Sequence, residues 1–133
     1  MPAFTHFANE KWRGRLCFEA NGLLIRARMY RNQKVVVVMP AYNAAKTVRQ
    51  THAEVREQQL VDTIILVDDG SRDDTVAIAR SLPGMEVHVH EVNKGYGGNQ
   101  KTCYRLALAV GADIVIMIHP DYQYTPKLIP AMV

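Results

Sequence analysis

Residues 63–75 read TIILVDDGSRDDT, an apolar run that ends in an acidic turn. A short run of β-branched and apolar residues is typical of a strand that is covered on both faces. Two carboxylates, a turn glycine and a helix start follow directly. Ligands of open α/β sheets bind outside the carboxyl ends of such strands, so this turn is the first candidate for a binding site.

The same alternation of strand and helix continues from residue 34 to the end of the chain. The predicted strands span residues 34–39, where Pro40 is expected to end the run, 63–67, 85–92 and 114–118. The predicted helices begin at Asn43, at Ser71 or Asp73, at Asn99, and at Thr125 with Pro126, and the first three end near Gln58, Leu82 and Val110. Strands that alternate with helices predict an α/β fold with a mainly parallel sheet and right-handed crossovers.

The chain divides near residue 33 into two unequal parts. Residues 1–33 carry scattered arginines and apolar residues without a period of 2 or 3.6, so we predict a loosely attached extension. Residues 34–133 form the predicted domain, which is long enough to bury a core without disulfides or structural metal.

Charge and cysteine usage narrow the class of protein. The net charge of +3 is too mild to indicate a nucleic-acid partner. No apolar stretch approaches the roughly 18–20 residues of a membrane span. Cys17 and Cys103 have no Cys-x-x-Cys spacing, so we expect reduced thiols and a cytoplasmic location.

Two further polar motifs follow predicted strands. His119, Pro120 and Asp121 come after the last strand, and the glycine-rich loop at 93–98 comes after the third. The loop matches neither a Walker sequence nor a dinucleotide fingerprint, although its glycines would let backbone approach a phosphate. His88 and His90 would point the same way on a strand, but no third metal ligand is evident, and packing beneath a helix or exposure to water also explains them.

Four motifs, in this order, resemble family 2 glycosyltransferases, and in particular the branch of dolichyl- and polyprenyl-phosphate sugar transferases. They are VVVMPAYN at 36–43, VDDGSRDDT at 67–75, NKGYGGN at 93–99 and HPDYQ at 119–123. The resemblance covers residues 34 to about 132. It implies the glycosyltransferase A fold, a Rossmann-like three-layer α/β/α sandwich, and a UDP- or GDP-linked sugar as donor.

The resemblance also implies a set of donor-site residues. Asp68 would accept a hydrogen bond from the base and Asp69 would support the same turn, because carboxylates accept the imide or amide hydrogens of uracil and guanine. Capping of the next helix explains these acidic residues as well. The nucleotide-binding residues implied are Pro40, Ala41, Tyr42, Asn43, Asp68, Asp69, Gly95 and Gly98.

The implied cofactor is Mg²⁺ or Mn²⁺ at the position of the family's Asp-x-Asp motif. Asp121 matches the second Asp and is the implied catalytic residue and metal ligand, with Gln123 as a further oxygen ligand. His119 replaces the first Asp, and it would either ligate Mn²⁺ through nitrogen or donate a hydrogen bond to a ribose or phosphate oxygen. A turn cap after the strand is the alternative for Asp121.

The resemblance implies inverting transfer of a sugar to an acceptor. It also implies that the acceptor is a polyprenyl phosphate or a glycan. Two other classes stay open: a non-catalytic nucleotide-binding remnant, and a sugar-phosphate nucleotidyltransferase. The last predicted helix ends apolar at Val133, so we expect a truncated chain that holds the donor-binding half. An exposed sheet edge would then favour homo-oligomers, and a lipid-linked acceptor would place the protein at the cytoplasmic membrane face.

Overall fold

A computed structural model describes residues 16–18, 24–26 and 30–133. Within the predicted extension, strands β1 (Leu16–Phe18) and β2 (Leu24–Arg26) pair antiparallel in a small sheet of their own. Residues 1–15, 19–23 and 27–29 of that extension lie outside the described ranges. The loose attachment of residues 1–33 therefore stays a prediction.

Four strands form the main sheet: β3 (Val35–Ala41), β4 (Thr63–Asp68), β5 (Met85–Val89) and β6 (Ile114–Met117). They are parallel and lie in the order β5-β4-β3-β6. The helices between and after them are α1 (Val48–Glu57), α2 (Thr75–Ser81), α3 (Gly95–Ala109), a 3-10 turn (Pro126–Leu128) and α4 (Ile129–Met132). The predicted α/β fold with a parallel sheet is confirmed.

Apolar clusters cover both faces of this sheet. Val35, Val37 and Met39 pack with residues of α1, α2 and α4, whereas Val36 and Val38 pack with residues of α3. The residues of β3 thus alternate between two buried faces, which explains why its sequence is apolar throughout. Helices on both sides make the three-layer α/β/α sandwich that was predicted.

The first strand does not end at Pro40 as predicted but continues to Ala41. The carbonyl of Ala41 accepts the Asp69 N–H from the β4 side, so the alternation of the backbone turns Pro40 towards β6. Pairing of β3 with β6 ends at Val38 and Met117. Pro40, which has no N–H to donate to β6, thus lies just beyond the last pair of this ladder.

The first helix begins at Val48, so the prediction that it starts at Asn43 is wrong. Asn43 has a φ of 51°, and its side-chain oxygen accepts the Arg72 N–H at 2.9 Å. Its own N–H donates to Ser71 Oγ at 2.8 Å. Asn43 thus joins two turns instead of capping a helix.

The start of α2 follows the prediction in part. Asp73 Oδ1 accepts the Thr75 N–H at 3.0 Å, as expected of a capping carboxylate, whereas Ser71 bonds to Asp68 instead. On the apolar face of α2, Ala77 is exposed and Ile78 packs against the core in its place.

The third strand and third helix differ most from the prediction. β5 ends at Val89 and not at residue 92, because Val89 is the register partner of Asp68, the last residue of β4. Helix α3 begins at Gly95 and not at Asn99, so the predicted glycine-rich loop is largely the first turn of a helix. Gly95 has a φ of 73°, a conformation that glycine adopts without strain.

Within the described ranges, β6 pairs only with β3, so its outer edge has no strand partner there. Oligomerisation through this edge stays a prediction. No described helix is long and apolar enough to cross a bilayer.

Candidate functional site

A cleft of about 270 Å³ lies at the carboxyl edge of the parallel sheet. It brings together the end of β3, the turn after β4, the start of α3 and the loop after β6. Its lining residues are Pro40, Ala41, Tyr42, Ala44, Asp69, Asn93, Gly95, Tyr96, Asn99, His119, Pro120 and Asp121. This is the position at which α/β sheets of this kind bind ligands.

Most of the predicted site residues meet in this cleft. Those that line it are Pro40, Ala41, Tyr42, Asp69, Gly95, His119 and Asp121. Four predicted residues lie outside its lining, namely Asn43, Asp68, Gly98 and Gln123. Gly98 lies within α3, where a Cβ atom would come within 2.7 Å of Lys94 Cβ, so close packing alone explains a glycine there.

Asp68 is fully buried beneath the turn that follows β4. Its Oδ2 accepts the N–H groups of Gly70 at 3.1 Å and Ser71 at 2.9 Å, and its Oδ1 accepts the Ser71 hydroxyl. These contacts match the capping and turn interpretation of this carboxylate. Its contact with a base stays a prediction.

Asp69, unlike Asp68, is among the residues that line the cleft. Its Oδ1 accepts two hydrogen bonds, from the Lys94 N–H at 2.8 Å and from His90 Nδ1 at 2.7 Å. Burial by itself would raise the pKa of Asp69, but these hydrogen bonds and the charge of His90 outweigh it and hold the pKa below its usual value. Asp69 is therefore an ionised acceptor at neutral pH.

His90 is a site residue that the sequence interpretation did not assign. Its ring is only 1% exposed, and its Nε2 lies 2.9 Å from Thr102 Oγ1 of α3. His88, in contrast, is exposed, although its ring lies edge-on to that of His90 with the centroids 5.8 Å apart. The register of β4 and β5 explains why His90 reaches Asp69. Asp68 is paired with Val89, so the residues that follow them, Asp69 and His90, lie side by side.

Two asparagines fix the turn that leads into α3. Asn93 donates to the Asp69 carbonyl at 2.9 Å and accepts the Gly95 N–H at 2.9 Å. Asn99, which is buried, donates to the Val67 carbonyl at 3.0 Å. Both side chains line the cleft, and together they hold the first turn of α3 against the end of β4.

His119 lies on the opposite side of the cleft, stacked on Tyr96. The ring centroids are 5.4 Å apart at an interplanar angle of 21°, and the Tyr96 hydroxyl lies 3.2 Å from His119 Nε2. Gln100 Nε2 donates to the same hydroxyl at 2.7 Å. The hydrogen bonds from Gln100 to Tyr96 and between Tyr96 and His119 orient the His119 imidazole, which the resemblance places at the position of the family's first Asp.

The loop that carries Asp121 is attached to α1 on its other side. The hydroxyl of Thr47, just before α1, donates to the Pro120 carbonyl, and the Tyr122 hydroxyl donates to Glu54. Tyr122 has a φ of 68°, and the hydrogen bond to Glu54 raises the pKa of its phenol. Asp121 itself is exposed, with Oδ1 accepting the Gln123 N–H at 3.0 Å.

The donor set at this loop fits a divalent metal that binds together with a phosphorylated ligand. No group of three or more His, Cys, Asp or Glu side chains in the described ranges is arranged to hold a metal by itself. Asp121 offers one exposed carboxylate, and Gln123 and His119 each lie two residues from it in the chain. Mg²⁺ is commonly held in this way, by one or two carboxylates plus substrate phosphates and water.

Two curated relatives illustrate the likeness to known proteins. The chain is 31% identical over 108 residues to a UDP-N-acetylglucosamine--dolichyl-phosphate N-acetylglucosaminyltransferase of Methanococcus voltae, covering 69% of this chain and 43% of that protein. It is 32% identical over 107 residues to an undecaprenyl-phosphate 4-deoxy-4-formamido-L-arabinose transferase of Sodalis glossinidius, covering 75% and 32%. The chain thus spans less than half the length of these relatives.

Solved structures show the same fold over a similar part of the chain. Glucosyl-3-phosphoglycerate synthase of Mycobacterium tuberculosis, in complex with Mn²⁺, UDP and glucosyl-3-phosphoglycerate, is 29% identical with a TM-score of 0.60, covering 74% of this chain and 37% of that one. Mannosyl-3-phosphoglycerate synthase of Rubrobacter xylanophilus is 27% identical with a TM-score of 0.61, covering 74% and 34%.

The family assignment agrees with the order of the four motifs and with the fold that carries them. Residues 36–133 match the family described as Glycosyl transferase family 2. That match takes in the main sheet except for Val35, the first residue of β3, and the whole lining of the cleft. The chain belongs to glycosyl transferase family 2.

Proposed function

We propose that the cleft binds the nucleoside diphosphate of a sugar donor, and that the protein transfers the sugar from this donor to an acceptor. The observation that carries the proposal is the placement of Asp69 and Asp121 on one cleft at the carboxyl edge of the sheet. A related solved structure that contains UDP and Mn²⁺ supports it.

The base would lie between the end of β3 and the turn after β4. Pro40, Ala41 and Tyr42 supply apolar and aromatic surface there. The hydrogen bonds from His90 Nδ1 and the Lys94 N–H both fall on Oδ1 of Asp69, and Oδ2 would accept the hydrogen bond from a ligand. An ionised carboxylate accepts the imide hydrogen of uracil or the amide hydrogens of guanine, and hydrogen bonds to a charged group contribute about 1.5–3 kcal/mol.

The diphosphate would lie between the start of α3 and the Asp121 loop. The first turn of a helix presents unpaired N–H groups and the positive end of the helix dipole, both of which favour phosphate oxygens. Asp121, with Gln123 and His119 beside it, would hold Mg²⁺ or Mn²⁺ together with the diphosphate. The metal, when bound, neutralises charge on the departing diphosphate.

The identity of the acceptor rests on the relatives. Two of them are named for dolichyl phosphate and undecaprenyl phosphate, which supports a polyprenyl-phosphate acceptor. A phosphate oxygen that attacks the anomeric carbon in one displacement inverts the sugar. An acceptor of this kind would place the protein at the cytoplasmic face of the membrane. We assign no general base.

A second candidate is nucleotide binding without sugar transfer. His119 stands where the family has a carboxylate, and Tyr96 already engages its Nε2 at 3.2 Å. Family membership favours transfer over the nucleotidyltransferase alternative. Consumption of a UDP-sugar or GDP-sugar by the purified protein distinguishes transfer from binding alone.

The proposal is tested by calorimetric titration with UDP and GDP, each with and without Mn²⁺. We expect binding that Mn²⁺ strengthens, and a loss of about 10–100-fold in affinity for Asp69→Asn if its hydrogen bond to the base is lost. Asp121→Asn should remove the effect of Mn²⁺ and leave metal-free affinity close to that of the wild type.

Asp74→Asn is the matched control, because Asp74 is an exposed carboxylate near α2 whose side chain caps no helix N–H. It should bind as the wild type does. A folded wild-type protein that binds neither nucleotide would overturn the proposal.

A further inference from the structure

We infer that His90 is a positioning residue of the cleft, which orients the Asp69 carboxylate and ties it to helix α3. The inference rests on the proposed function, since it assigns a role in nucleotide binding. His90 does not line the cleft, so it acts through Asp69 and not on the ligand.

The ring of His90 bridges two elements that meet at the cleft. Its Nδ1 lies 2.7 Å from Asp69 Oδ1, and its Nε2 lies 2.9 Å from Thr102 Oγ1. The backbone N–H of His90 donates to the Asp68 carbonyl at 2.9 Å, which fixes the ring relative to β4. One side chain therefore connects the turn after β4 with α3.

The hydrogen-bond partners determine where the ring protons lie. An ionised carboxylate only accepts, so Nδ1 carries a hydrogen and donates it to Asp69. The Thr102 hydroxyl is placed to donate to the Gly98 carbonyl at 3.2 Å, and in that state it accepts from Nε2. It can also donate to an unprotonated Nε2. The contact with Asp69 is thus the same for neutral and charged His90.

The contact with Asp69 restricts the orientation of that carboxylate. With His90 and the Lys94 N–H both on Oδ1, rotation of the carboxylate would break two hydrogen bonds. Oδ2 is thereby held as the oxygen available to a base. Without the His90 donor, Asp69 keeps only backbone donors, the N–H groups of Lys94 and Gly95, and the carboxylate gains rotational freedom.

A matched pair of substitutions separates this role from simple packing. The Nδ2 amide of asparagine occupies the position of histidine Nδ1, so His90→Asn keeps a donor to Asp69 and loses the contact with Thr102. The Nε2 amide of glutamine occupies the position of Nε2, so His90→Gln keeps the contact with Thr102 and loses the donor to Asp69. Both remove the ring.

We expect His90→Gln to weaken UDP binding by about tenfold or more and His90→Asn by less than about threefold, as for loss and retention of a hydrogen bond to a charged group. Circular dichroism and thermal unfolding of both variants check that they are folded. Equal affinities of two folded variants would overturn the inference, and so would a stronger loss in His90→Asn.

A second measurement on the wild-type protein needs no nucleotide. Long-range proton–nitrogen NMR of the imidazole should show a protonated Nδ1 whose proton is shifted downfield by its hydrogen bond to Asp69. An unprotonated Nδ1 would overturn the inference even if the variants do not fold. If the ring spectrum is as expected but UDP does not bind to the wild type, the proposed function fails, and with it the role of His90 in nucleotide binding.

Discussion

Replacing Gly98 by alanine should destabilise the protein, whereas the same change at Gly97 should stabilise it. Both glycines lie in the first turns of α3, one residue apart. A Cβ atom at Gly98 would lie 2.7 Å from Lys94 Cβ, while a Cβ atom at Gly97 would meet nothing within 4 Å. The two substitutions therefore change helix propensity equally, but only the one at Gly98 creates a steric clash.

The expected magnitudes follow from these two effects. Glycine inside a helix is less favourable than alanine by about 0.5–1 kcal/mol, so Gly97→Ala should gain about that much. Forcing an extra carbon into a packed site costs about 1–3 kcal/mol. The contact at Gly98 involves the first carbon of the Lys94 side chain, which cannot move without its backbone, so we expect a net loss of about 1–2 kcal/mol for Gly98→Ala.

Urea unfolding followed by circular dichroism measures both free energies, and thermal unfolding should show a rise of about 2–5 °C for Gly97→Ala and a fall of about 4–10 °C for Gly98→Ala. Equal stability of the two variants would refute the reasoning, because it would mean that Gly98 has room for a side chain. It would also remove the packing explanation for that glycine.

Three further outcomes follow from buried ionisable groups. Burial raises the pKa of the Cys103 thiol to about 12, so iodoacetamide should label Cys103 only after unfolding, as peptide mass spectrometry would show. The pKa of Asp69 lies below its usual value in the folded state, so its stabilising contribution is present above 3.8 and is lost as the pH falls. Urea unfolding should accordingly show Asp69→Asn less stable than the wild type at about pH 7, with a smaller difference at about pH 3. The pKa of Asp62 is shifted in the opposite direction from that of Asp69. Burial raises it, although the Val35 N–H donates a hydrogen bond to Asp62 at 2.8 Å. Its Oδ1 is buried without a partner, so Asp62→Asn should stabilise the protein by up to about 1 kcal/mol at neutral pH and by less in acid, measured in the same way.

The sheet could be predicted from the sequence because each strand is a short apolar run between turn residues. The role of each carboxylate in the acidic turn was harder to predict. Adjacent residues of a strand point to opposite faces of the sheet. Because β4 is buried on both faces, its sequence does not alternate between apolar and polar residues and so does not indicate which face each residue points to. The family resemblance gave the base contact to Asp68, which stays a prediction, whereas Asp69 is the residue of the pair that lines the cleft.

The start of α3 and the contacts of His119 depend on tertiary structure. Three glycines in four residues argue against a helix, yet Asn93 and Asn99 anchor this turn to β4 through side-chain hydrogen bonds. His119 meets Tyr96 across the cleft, 23 positions apart in the chain, and no local pattern indicates such a pair.

Amide chemical-shift mapping of isotope-labelled protein during titration with UDP and Mg²⁺ tests the nucleotide site most directly. We predict the largest changes at four cleft residues: Ala41, Asp69, Gly95 and His119. The amides of Ile129 and Met132 in α4, which line a neighbouring apolar groove, should change little. Changes confined to α4, or none up to a large molar excess of UDP, would contradict the assignment of this cleft to a nucleoside diphosphate.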